Sequence, residues 1–372
     1  MRLCFSWESR VPFNSGAHGD ISQVAGMLKS LAKRGIEVHF VCLHEGEVNG
    51  LCGVHVHQVA PSPNKELNRR MLVSKMVRLH QTNRFDVFHF RSQHLVLEMK
   101  KMLPSVPCVY TMVPYYFVTK EEDDFIREKA VVEACDKLTV FTEGWKKYYE
   151  ATFKESKGKI EHIRVGVDED FKKTLSHKRN GREWVIGYFG GIREDYGLEE
   201  LIKALPIINQ TLGQKVKILL AGSGHEKYLN KLKQLSTHLG VAHQVDFKGY
   251  ISKQEVPLYL STCSVAVNLR YDTTVNKNRG FDYSIPIKVV EYMVVGVPVI
   301  GSKDGGMVEL LGHDYKFLVN PTKPYEIARA LKELLKEERE VNKVVLSNQF
   351  KAKPYLNTNV VNDYVRMFLS LK

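Results

Sequence analysis

Short apolar runs alternate with amphipathic helical patterns along almost the whole chain, and the alternation runs through twice. In the first half, residues 3–7, 37–42, 54–59, 86–90, 108–112, 138–141 and 160–165 read as strands. Between the first two, Ile21, Val24, Leu28, Leu31 and Ala32 recur on one helical face and stop at Gly35. Further helices read at about 65–82, 95–102, 121–134 and 143–151. Residues 166–183 turn polar and charged, and the pattern then restarts. Strands read at 184–189, 215–221, 244–247, 264–269, 297–300 and 316–319, and helices at 198–211, 226–239, 253–260, 288–295 and 323–335. Alternation of this kind predicts an α/β fold of mostly parallel sheets covered on both faces. The expected organisation is a Rossmann-like domain over 1–168, a linker over 169–183 and a second Rossmann-like domain over 184–352. An amphipathic helix in 353–372 is expected to return towards the first domain. Ligands of such sheets bind beyond the carboxyl ends of the strands, which predicts a cleft between the two domains.

The charge narrows the partners. Lys and Arg outnumber Asp and Glu by 54 to 42 over 372 residues, a net +12. Residues 1–171 are nearly balanced, with 24 basic and 22 acidic side chains, so the excess belongs to the second half. No basic block, zinc-finger spacing or RNA-recognition signature accompanies it, which argues against nucleic acid. A phosphate-bearing small molecule or an anionic membrane surface would use the same charge. The six cysteines never form a Cys-x-x-Cys pair and several sit in apolar runs, as in a reducing compartment. Glu8 and Arg10 interrupt the N-terminus too early for a signal-peptide core, and no apolar run approaches 18 residues. The expected location is cytoplasmic, with at most peripheral contact with the inner face of the membrane.

Three segments carry candidate chemistry. The first, 187–193, leaves a strand with Gly190 and Gly191 followed by Arg193. Glycines there admit a close ligand and a helix start offers N–H groups to an anion, though a tight turn without a ligand reads the same way. The second, 221–226, contains Gly222 and Ser223, where the serine either bonds a phosphate or ribose or simply enters a helix. The third runs from Pro286 through Lys288, Glu291 and Gly296 to Asp304, Gly305, Gly306 and Glu309. Lys288 and Glu291 share one face near a helix start. There a glutamate can hold a ribose diol and a lysine can reach a diphosphate; the alternative is an ordinary i, i+3 surface ion pair. The polar approach at 270–284 favours a binding role.

At these residues the chain resembles the retaining glycosyltransferases of family 4, which have the two-Rossmann-domain architecture called GT-B. The family's Pro-x-Lys-x-x-Glu run, its Gly-x-Pro-Val-Ile and its Gly-Gly-x-x-Glu match 286–309 almost throughout. Its Tyr-x-Gly strand end, Ala-Gly-x-Gly turn and Lys-Gly-Tyr-Ile step match 188–192, 221–224 and 248–251. In the first half, 31–38, 86–89 and 166–168 resemble further family segments. The resemblance implies transfer of a sugar from a nucleotide-diphosphate donor to a glycan, lipid-linked or small-molecule acceptor. It implies no cofactor beyond that co-substrate and no metal. Carried over, Glu291 would hold the ribose. Lys288, Gly190 and Gly191 would face the diphosphate, Gly222 and Ser223 would line the donor, and Tyr250 and Ile251 would border the base.

The chain departs from the family in three places. Gly191 and Tyr196 stand where many members have an arginine and a lysine that reach the diphosphate, leaving Arg193 or Arg270 to supply charge. Tyr283 replaces a second glutamate. The usual His-Asp after the fourth strand is Val113-Pro114. His18, beside Gly16 on the first strand-to-helix loop, is therefore the catalytic candidate with Glu291, and His89 a second acceptor-side candidate; either histidine is equally read as packed or solvated. The segment 64–84 mixes six basic with several apolar side chains, which suits either an anionic membrane or an ordinary half-buried helix. A nucleotide-sugar epimerase of the same architecture and a catalytically silent nucleotide-sugar binder are the competing readings.

Overall fold

The computed structural model describes residues 1–10, 19–48, 50–112, 121–174, 183–211, 215–272, 281–336 and 338–372. The chain forms two compact units, Met1–Val167 with Tyr355–Lys372 and Asp168–Pro354.

In the first unit, seven parallel strands are described: β1 (Arg2–Arg10), β2 (Glu37–Leu43), β3 (Val54–Val59), β4 (Val87–Phe90), β5 (Cys108–Thr111), β6 (Lys137–Val140) and β7 (Ile160–His162). Their order is β3-β2-β1-β4-β5-β6-β7. Side chains alternate between two cores, because successive strand residues point to opposite faces. Leu3, Phe5, Phe40 and Val109 go to one side, and Cys4, Val41, Phe88 and Tyr110 to the other. The first side is covered by α1 (Gly19–Lys33) and α13 (Asn357–Leu369), through Val24, Leu28, Val360 and Tyr364. The second is covered by α2 (Lys65–Asn83), α3 (Gln93–Met102), α4 (Glu122–Ala134) and α5 (Glu143–Thr152), through Met76, Met99, Val131 and Tyr149. Because α2 packs Leu72, Val73 and Met76 into this core, its apolar side is not available to a lipid surface.

The C-terminal segment belongs to this unit through short bonds. Val167 N donates to Tyr355 O at 2.8 Å and Asn357 N to Val167 O at 3.0 Å. A Cβ on Gly26 would lie 2.4 Å from Asn357 Nδ2, so the glycine lets α1 and α13 approach.

The second unit contains, among the described residues, β8 (Glu183–Phe189), β9 (Lys215–Ala221), β10 (Val245–Gly249), β11 (Val265–Asn268), β12 (Val299–Ser302) and β13 (Leu318–Val319). All are parallel, in the order β10-β9-β8-β11-β12-β13. The helices are α6 (Leu198–Thr211), α7 (Glu226–His238), α8 (Val256–Ser261), α9 (Ile287–Val295), α10 (Gly305–Leu311), α11 (Pro324–Lys336) and α12 (Glu338–Ala352). The chain moves outward from β8 to β10 and then returns to the other side of β8 as β11. That reversal creates a topological switch point at the carboxyl ends of β8 and β11, where ligands of such sheets bind. Residues 169–183, expected as linker, start with a 3-10 turn over Glu169–Thr174 whose Phe171 is buried.

Candidate active site

Three loops meet at that switch point. The turn after β8 holds Gly190 at φ 141°, and the turn after β9 holds Gly222 at φ 152°. A Cβ on Gly222 would fall 1.8 Å from Gly190 O, so the two turns are in backbone contact. Gly190 N donates to Ala221 O at 2.9 Å, Gly222 N to Gly249 O at 2.8 Å and Ile192 N to Ser223 O at 2.8 Å. The Gly190 amide is thus already bonded within the sheet end, so charge for an anion has to come from a side chain. Because Gly249 is bonded to Gly222, the half-exposed Tyr250 and Ile251 follow directly beside the Gly222–Ser223 turn.

That side chain is Lys288. The absence of a Cβ on Gly190 makes room for it; a Cβ there would lie 2.7 Å from Lys288 Nζ. The ammonium donates to Tyr188 Oη at 3.0 Å and sits 4.5 Å from the Tyr188 ring centroid and 4.0 Å from that of Tyr196. The Tyr188 hydroxyl in turn donates to Gly191 O at 2.6 Å. Burial, with Arg270 nearby adding to it, pushes the Lys288 pKa down to about 7, against the pull of Glu291. Tyr196, which replaces the family's lysine, is therefore a wall of the Lys288 cradle.

Lys288 and Glu291 do not pair with each other. Glu291 Oε1 lies 3.3 Å from Lys253 Nζ, a partner 38 positions earlier in the chain that sequence reasoning missed. Lys253 Nζ also lies 5.6 Å from the Phe171 ring centroid. The helix face thus presents a carboxylate and an ammonium separately, the arrangement a diol and an anion require.

The two arginines expected to supply charge are both committed. Arg193 makes a bidentate pair with the buried Asp195, at 3.0 and 2.7 Å, and keeps about two-fifths of its side chain exposed. Arg270 is 4% exposed. Its Nε and Nη2 bond Asp304 at 2.9 and 2.8 Å, and Nη2 also donates to Ser284 O. Asp304 in turn caps α10, accepting from Met307 N at 2.8 Å. Arg270 therefore braces the loop and α10, and its charge is neutralised by a carboxylate.

Tyr292, one residue beyond Glu291, fixes the same turn. Its hydroxyl accepts from Phe189 N at 3.0 Å and donates to Phe189 O at 3.1 Å, all within the buried interior. Tyr292→Phe should leave both backbone groups without partners and cost about 1–3 kcal/mol. The loss is read as a lower urea midpoint at unchanged m-value.

In the first unit His89 has no exposed surface. Its Nε2 lies 2.6 Å from Thr111 Oγ1 and its ring packs on Phe5, Tyr364 and Phe368. Burial, reinforced by the charge of Arg91, pushes its pKa down to about 3. The acceptor-side candidate is thus placed as a neutral core histidine. Gly16 and His18 lie outside the described residues.

Two family models match the chain in tandem. "Glycosyltransferase Family 4" matches residues 22–171 and "Glycosyl transferases group 1" matches residues 169–350. The chain is a family 4-type glycosyltransferase. An uncharacterized glycosyltransferase of Methanocaldococcus jannaschii is 24% identical over 342 residues, 84% of each chain. A GDP-mannose-dependent alpha-(1-6)-phosphatidylinositol monomannoside mannosyltransferase of Mycobacterium tuberculosis is 30% identical over 187 residues, 47% of this chain and 46% of its own. Among solved structures, Anabaena HepE in complex with UDP superposes with a TM-score of 0.78 at 18% identity, covering both chains fully. Sucrose-phosphate synthase of Thermosynechococcus elongatus gives 0.75 at 16% identity, covering 99% of each chain. These likenesses show a shared GT-B fold.

The glycosyltransferase has one feature that the sequence did not suggest. Arg91, just past β4, is 5% exposed, donates to Gln23 Oε1 at 3.2 Å and lies over the Trp7 and Phe141 rings at 5.1 and 5.7 Å. Among the described residues no carboxylate pairs with it. No helix among them is long and apolar enough to cross a membrane.

Proposed function

We propose that the enzyme moves a sugar from a nucleotide-diphosphate donor to a hydroxyl acceptor with retention of anomeric configuration and without a metal at the donor site. The acceptor class is a glycan, a lipid-linked sugar or a small molecule. The observation that carries this reading is the ammonium of Lys288, held at the switch point above the Gly190 turn and one helical turn from Glu291. In the transfer, the bond from the anomeric carbon to the diphosphate oxygen breaks and a bond to the acceptor oxygen forms. The acceptor's proton leaves with the departing diphosphate, whose growing charge Lys288 meets in a desolvated site. Glu291 accepts from the ribose hydroxyls, with Lys253 orienting its carboxylate. Tyr250 and Ile251, beside Gly222, border the base.

The relative from M. tuberculosis bears GDP-mannose in its name and the Anabaena structure holds UDP, so both nucleotides belong in the test. Thermal stabilisation against UDP-, GDP-, ADP- and CMP-sugars should single out one donor, since a specific ligand raises the melting temperature. Glu291→Ala should lower kcat/KM for that donor about 10- to 100-fold, the loss expected when charged hydrogen bonds are removed. Unchanged kinetics in a folded variant would sink the donor-site assignment. Isomerised donor without acceptor would indicate an epimerase, and donor binding without transfer would indicate a silent binder.

A further inference from the structure

We propose that the edge of the first unit's sheet carries a binding site for a zinc-like divalent transition metal, formed by Glu37, His39 and His55. Strand β3 is the outer strand and pairs with β2 in a register that sets His39 opposite His55 and Val41 opposite His57. Two-residue periodicity then puts Glu37, His39, His55 and His57 on one face. One ligand atom from each of Glu37, His39 and His55 lies within 4.8 Å of the others. The His39 ring stacks on those of His55 and His57, with centroids 4.7 and 5.2 Å apart.

The hydrogen bonds order this cluster as metal ligands are ordered. His39 Nδ1 lies 2.9 Å from His57 Nε2, and His39 Nε2 lies 3.1 Å from Glu37 Oε1. In the tautomer with Nδ1 donating to His57, the lone pair on Nε2 faces the Glu37 carboxylate oxygen, and a divalent cation bound there would be shared by both. A ligating histidine characteristically gives its other N–H to a hydrogen-bond acceptor, and here His57 Nε2 lies where that acceptor would be. The second oxygen of Glu37 is held by Arg2 Nε at 3.0 Å, leaving Oε1 turned to the cluster. Two imidazoles and one carboxylate, with a water in the fourth position, make a tetrahedral set suited to Zn²⁺ and compatible with Co²⁺ or Ni²⁺.

The site lies at the amino ends of β2 and β3, whereas sugar-transfer chemistry in such sheets lies beyond the carboxyl ends. Its role is to tie the edge strand to its neighbour. His39 is buried, while His55 is exposed and lets the ion enter from solvent.

The test uses the full chain without an affinity tag, stripped with chelator and titrated with Zn²⁺ by calorimetry. One equivalent is expected to bind saturably and raise the melting temperature. His55→Ala, on an exposed position, should weaken binding at least tenfold, and His57→Ala about tenfold through the lost partner. His313→Ala, at an exposed histidine outside the cluster, should bind like the parent protein. No saturable binding, or binding by folded His55→Ala equal to that of the parent, overturns the proposal. Because the readout is metal binding alone, failure here leaves the donor-site reading untouched, and the reverse holds as well.

Discussion

Replacing Lys288 with methionine is expected to lower kcat for sugar transfer by about 100- to 1000-fold, the range seen when one preorganised donor is removed from a developing negative charge. The variant keeps most of the side-chain volume between Tyr188 and Tyr196, so its unfolding midpoint should hardly move. The pH behaviour supplies an independent check. In the free protein Lys288 titrates near 7, because burial disfavours its ammonium. A bound diphosphate favours the ammonium and raises that pKa. Binding above pH 7 therefore draws a proton from solvent, and donor affinity falls as pH rises from about 7 towards the bound-state pKa. Below pH 7 the proton is already present and affinity levels off. Calorimetry in buffers of different ionisation enthalpy should show uptake approaching one proton near pH 8. If Lys288→Met takes up as many protons as the parent enzyme, the lysine is not the group that meets the diphosphate.

The strands were legible because a parallel sheet covered on both faces needs uninterrupted apolar runs, and β4 and β5 show four buried residues each. Two helices of the second unit were not. In α12 the pattern is mixed, with Val341 buried but Leu346 and Phe350 exposed and Asn348 wholly buried beside Tyr315, so no clean period shows. In α10 the seven residues are too few to show a period, and the Asp304-Gly305-Gly306 start reads first as a loop. At the site, Lys288 and Glu291 stood out because one helix turn holds both. Their actual partners come from distant segments: Tyr188 and Tyr196 around one, Lys253 against the other. No local spacing encodes such contacts. The same blindness explains the arginines, since a sequence gives Arg270 a charge but not the carboxylate 34 positions away that cancels it.

That cancellation makes Asp304 a position where substitution should cost much stability. Asp304→Ala strips a carboxylate bonded twice to a guanidinium that is 4% exposed, and breaking a buried pair from one side costs about 3–5 kcal/mol. For a domain of this size each kcal/mol lowers the melting temperature by roughly 2–4 °C, so a fall of about 6–20 °C is expected. Asp304 also caps α10, and loss of a cap alone is worth about 0.5–2 kcal/mol. Asp304→Asn separates the two contributions, because asparagine caps as well as aspartate but removes the negative charge that faces Arg270. Most of the loss should persist in Asp304→Asn. Pairing Asp304→Leu with Arg270→Met should recover much of it, since both members of that buried pair are then removed together. If Asp304→Asn melts with the parent protein, the carboxylate serves only as a cap. In that case Arg270 would be a cation with charge to offer a donor, and the division of labour in which Lys288 alone faces the diphosphate would have to be redrawn.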